Sequence, residues 1–192
     1  MRIRSFVTLA LLAGIVMPGL AQAPRRNVGA PETFSANANV AKPGTGAIAA
    51  TIQVHIERYT PDADRTAVQS ALEQGYPVFL TALRKAPEVG YVQLGEQKTP
   101  IRWARQTATP KGRTIVVVTD KPVFFVGGGA TDAKPRAGYE VAVIQMEVDD
   151  IGLGTGTMAA AARVKPGGET GVRIDDYAEA PVKLVTVSRK IK

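Results

Sequence analysis

The chain has 192 residues, with 24 Lys and Arg against 17 Asp and Glu, one histidine and no cysteine. This excludes disulfides, a cysteine nucleophile and thiolate metal ligands, and a single histidine falls short of the ligand set zinc prefers. A formal charge of +7 favours anionic partners without choosing among lipid, polysaccharide and nucleic acid.

The N-terminal stretch MRIRSFVTLALLAGIVMPGLAQA has the build of an export signal: Arg2 and Arg4, an apolar run from Phe6 to about Val16, then small residues. The run is shorter than the roughly 20 residues that cross a bilayer, and Pro18 interrupts it. Cleavage after Ala21 is preferred to cleavage after Ala23, which would leave the ring of Pro24 directly beyond the cut. The expectation is a signal peptide over 1–21 (alternatively ending at 23) and export to the periplasm or beyond. Residues 22–47, rich in Pro, Gly, Asn and Ala, read as a flexible lead-in with one short strand around Glu32 to Val40, and 48–192 as a single domain.

From Ile48 the pattern changes: Ile48, Ala50, Ile52, Val54 and Ile56 alternate with polar or small residues, the period of a strand with one buried face. TPDADRTAVQSALEQG predicts a helix with Thr60 as N-cap, Pro61 in the first position and Gly75 at its end. A second helix is expected from about Pro77 to Ala86, stopped by Pro87. EVGYVQLG reads as a short strand, and TPIRWARQTA and GRTIVVVTD as a hairpin turning at Thr109–Gly112. GYEVAVIQMEV and TGTMAAAARV pair across the turn DDIGLG, and strands at Gly171–Asp176 and Pro181–Val187 lead to the basic tail SRKIK. The fold class expected is α+β: one strand-rich domain, an antiparallel sheet or β-sandwich with one inserted helical hairpin.

Charge is unevenly spread. Residues 98–121 carry six bases against Asp120, whereas 140–150 hold four acids and no base, so the two segments could face each other as neighbouring strands. VFFVGGGATDAKPRAG lacks the Lys-Ser or Lys-Thr and the helix that a phosphate loop requires, since Lys134 precedes a proline. DDIGLGTG sits in a hairpin turn rather than a strand-to-helix crossover, so no nucleotide cofactor is expected, and no metal site.

Two constellations remain. On IRWARQT, strand alternation places Trp103 and Arg105 on one face, which with Arg102 and Lys121 would make an aromatic and cationic ligand surface. The competing reading buries Trp103 and leaves the arginines as rim. His55, with Glu57 two residues on and Asp120 as a further acid, is the weaker candidate for acid–base chemistry, without a nucleophile elbow to support it.

The segments TPDADRTAVQSALEQG, VGYVQLG, RWARQ, VVVTDKPVFF and EAPVKLVTV together resemble a group of exported bacterial proteins of similar length whose activity is unknown. The resemblance covers most of Ile48 to Val187. It implies export and a single domain, and carries over no activity, cofactor or catalytic residue. The reading is an exported, non-enzymatic binding or structural protein of the bacterial envelope with an anionic ligand such as a lipid head group or glycan. The alternative is a hydrolase using His55. Nucleic acid is disfavoured for want of a recognition fold, and peripheral membrane contact would run through Arg189, Lys190 and Lys192.

Overall fold

A computed structural model describes residues 29–42, 46–123, 135–168 and 171–190. In chain order the elements are β1 (Glu32–Lys42), β2 (Gly46–Ile56), α1 (Asp62–Glu73), α2 (Tyr76–Lys85), β3 (Gly90–Leu94), β4 (Gln97–Thr109) and β5 (Gly112–Thr119). There follow β6 (Val141–Val148), β7 (Leu153–Pro166), β8 (Val172–Tyr177) and β9 (Val182–Lys190). The strands run β6-β5-β4-β3-β2-β1-β9-β7, and β7 returns to pair with β6, which closes the sheet on itself. All pairings are antiparallel.

The expected antiparallel sheet or β-sandwich with an inserted helical hairpin is therefore replaced by a closed eight-stranded antiparallel β-barrel carrying two short helices. Closure turns on two strands. The stretch near Glu32 is an 11-residue strand joining β2 to β9, so the barrel begins at Glu32 rather than Ile48. β7 is long enough to divide one of its edges, pairing with β9 from Leu153 to Met158 and with β8 from Ala162 to Pro166. β8 thus lies outside the closed ring.

Eight strands enclose a space that side chains can just fill. Phe34, Ile52, Val54, Ile101, Ile115 and Ile144 are among those that fill it, each fully buried, in one cluster drawn from across the ring. The interior is core rather than a ligand chamber. A second cluster lies outside the wall, where Val68, Leu72, Phe79 and Leu83 of the helices cover Trp103, Val116, Val118 and Val143. This two-sided burial explains why Ile115–Val118 reads as an unbroken apolar run in an antiparallel strand.

Thr60 does not cap α1. Its hydroxyl accepts from the Ala104 N–H and its own N–H donates to the Ala104 carbonyl, both at 2.9 Å, so it ties the β2–α1 connection to β4. Residues 124–134, which include Gly127–Gly129 and Lys134, lie outside the described residues, as do the export-signal segment and Lys192.

Candidate functional site

At the end of the barrel where β1 and β5 begin, four polar side chains meet in the interior. Arg113 donates from Nη1 and Nη2 to the two carboxylate oxygens of Glu32 at 2.8 and 2.7 Å, and from Nη1 to Gln106 Oε1 at 2.6 Å. Tyr59 donates its hydroxyl to Glu32. Both charges are buried, with Glu32 only 6% and Arg113 9% exposed. Burial, followed by the bond to Glu32 and its charge, pushes the Tyr59 phenol well above its ordinary value, so it stays protonated as a donor. Burial alone would lower the Arg113 guanidinium, but the hydrogen bonds it donates to Glu32 and Tyr59, together with the Glu32 charge, outweigh it and raise it. With both oxygens of Glu32 engaged, this network is a satisfied structural plug that presents no free negative charge outward.

Beside it, on the outside of the wall, lies a half-open pocket of about 390 Å³ lined by residues including Thr33, Gln53, His55, Tyr91, Arg189 and Lys190. Register places all of them but Arg189 on one face, since Arg189 sits opposite the inward-facing Phe34. Thr33 sits opposite His55 on one side and Lys190 on the other, and His55 sits opposite Tyr91. His55 Nδ1 shares a 2.8 Å hydrogen bond with Thr33 Oγ1, Nε2 lies 3.0 Å from Glu57 Oε2, and the ring packs 4.9 Å from that of Tyr91. Lys98 Nζ covers the Tyr91 ring at 4.4 Å. Arg189 and Lys190, expected in a basic tail, belong to β9. Neither makes an ion pair among the described residues.

A second concavity, of about 460 Å³, lies at the β4–β5 hairpin. There Lys111 is accompanied by Glu147 and Asp149, so its charge is offset.

The predicted residues divide. His55 and Glu57 come together, with Thr33 added, whereas Asp120 accepts from Arg102 Nε at 3.0 Å, away from His55. Trp103 is fully buried beneath the helices and cannot offer its ring to a ligand, which removes the centre of the expected Arg102, Trp103, Arg105 and Lys121 surface. The cause is a β-bulge between Ile101 and Trp103, which turns Trp103 outward, together with α1 and α2, which cover that outer face. Arg102 is held by Asp120 and the Ala86 carbonyl, Arg105 is half-buried, and Lys121 is exposed. The basic and acidic segments do become neighbours, as β5 beside β6, but Arg113 and Arg102 take their acids elsewhere.

Thr33, Tyr91 and Gln53 were not singled out by the sequence. The signal available was the polar member of each alternating pair in β1, β2 and β3. The chain matches no protein-family model, no curated protein and no solved structure.

Proposed function

We propose that this protein is an exported, non-enzymatic binding module of the bacterial envelope, and that its ligand is an anion held in the pocket beside β1 and β9. The observation that carries the reading is the meeting of Lys190, not ion-paired among the described residues, with the hydrogen-bonding groups of Thr33, Gln53 and His55, and Arg189, likewise without an ion pair there, also lines the pocket. Glu32, the acid lining this pocket, is neutralised by Arg113. An anion entering here therefore meets net positive charge and polar partners. Export rests on the charged, apolar and small-residue succession of the first 21 residues.

The hydrogen-bonded line Thr33–His55–Glu57 favours a second reading, hydrolysis. Several features count against it. Both ring nitrogens are engaged, Glu57 is 63% exposed, and the hydroxyl belongs to a strand laddered on both sides, which offers no array of free backbone N–H groups for an oxyanion.

Thermal unfolding of the purified protein with and without inorganic tripolyphosphate tests the binding reading. At about 100 times Kd, stabilisation of about 2.7 kcal/mol should raise the midpoint by about 5–10 °C. The rise should vanish in the double variant Arg189→Glu, Lys190→Glu. An equal rise in that variant, or none in the parent, would overturn the reading, and ester hydrolysis lost with His55→Ala would favour the rival.

A further inference from the structure

The outer wall continues from the pocket as a surface of mostly uncharged polar groups. One cross-strand row runs Ser188, Ser35, Gln53, Gln93, Lys98 over β9, β1, β2, β3 and β4. A parallel row runs from Lys190 through Thr33 and His55 to Tyr91, and on the other side Asn37 lies between Thr51 and Thr186. At the described outward positions of these strands the groups are mostly hydroxyls, amides and rings, with Val185 exposed on β9 and cations at Lys98, Lys183 and Lys190. The acids beside it stand beyond the strand ends: Glu57, turned to His55, and Glu96 in the β3–β4 turn. The rest of the wall differs. The outer face of β4–β6 is largely covered by the helices, and β7–β8 carry the ion pairs of Arg163 and Lys165 with Asp175.

Hydroxyl and carboxamide groups both donate and accept, as sugar hydroxyls do. Five adjacent strands span roughly 19 Å along the wall at their usual spacing. That length suits several sugar units rather than one. Lysines at both borders of a largely uncharged polar field complement a chain with negative charges spaced along it.

Resting on the anion-binding reading above, we infer that the ligand is an acidic polysaccharide, bound across the outer wall from Lys190 to Lys98. A lipid surface fits less well. Ile151 and Leu153, the exposed apolar residues near this end, share their turn with Asp149 and Asp150, which would repel anionic head groups. A nucleobase fits less well too, because the Tyr91 ring is already packed by His55 and Lys98.

Calorimetric titration of the purified protein with polygalacturonate, dextran sulfate, galacturonic acid monomer, neutral dextran and phosphatidylglycerol vesicles tests this. At least one acidic polymer should bind more than ten-fold tighter than the monomer and than dextran. The double variant Ser35→Ala, Gln93→Ala, both outside the pocket lining, should lose about ten-fold in polymer affinity with its melting temperature and tripolyphosphate response unchanged. Polymers binding no tighter than the monomer or dextran, or only vesicles binding, would overturn the inference while leaving the tripolyphosphate result standing. Unchanged polymer affinity in the variant would also overturn it. Absence of binding to every anion, tripolyphosphate included, would remove both readings.

Discussion

Arg113 and Glu32 are 81 positions apart in the chain and meet in a bidentate ion pair inside one end of the barrel. The pair links the first strand of the ring to the fifth across the interior of the barrel. Buried pairs of this kind gain little over apolar replacements, yet are costly to break on one side, because the remaining charge stays buried and unpaired.

Glu32→Ala should therefore cost about 3–5 kcal/mol in urea denaturation, while the combined change Glu32→Leu, Arg113→Met should recover most of that loss. Additive costs for the two sites would show that the pair does not act as a unit.

The same network sets a limit in base. The Tyr59 phenol is raised in the folded protein, first by burial and then by Glu32, so its contribution is fully present below the ordinary tyrosine value of about 10. It is lost as pH rises beyond that, because only the unfolded chain ionises freely. Stability measured from pH 9 to 12 should fall, and Tyr59→Phe should make that fall shallower while lowering stability at neutral pH.

Asp175 behaves in the opposite sense. Hydrogen bonds from Lys165 and Arg163 hold its carboxyl below the usual range despite partial burial, so its contribution is present above about pH 4 and fades as pH drops further. Asp175→Asn should flatten the acid limb of a denaturation series below pH 4. An unchanged limb would show that this exposed pair is screened out of the folding equilibrium.

Much of the local structure was legible in the chain. Ile52, Val54 and Ile56 are buried as their alternation requires, α1 stops two residues short of Gly75 and α2 before Pro87, and β6 pairs with β7 across the turn at Asp149–Gly152. Closure was not legible, because it depends on β1 meeting β9 and β6 meeting β7, and period-two alternation looks the same in a sandwich and in a barrel. Trp103 was ambiguous for a related reason. Alternation shows which way a residue points, but a bulge changes its phase, and the outward side of β4 is itself buried by helices that come earlier in the chain. Lys190 gained meaning only from register, since its neighbour Thr33 is more than 150 residues away in sequence.

The glycines of LGTG in β7 illustrate how a turn-like motif becomes a packing requirement. A Cβ at Gly154 would lie 1.8 Å from the Glu147 carbonyl oxygen, and one at Gly156 would lie 2.4 Å from that of Gln145. Both contacts are to backbone of the adjacent β6, which cannot swing aside as a side chain could. Bare backbone at these two positions lets β6 and β7 approach closely where the ring shuts. Gly154→Ala should push the strands apart and cost about 1–3 kcal/mol, the usual range for overpacking. Gly29→Ala, where an added Cβ meets nothing within 4 Å, should change stability by less than about 0.5 kcal/mol. Equal effects at the two sites in urea denaturation would mean that the β6–β7 seam tolerates separation and that closure does not depend on Gly154.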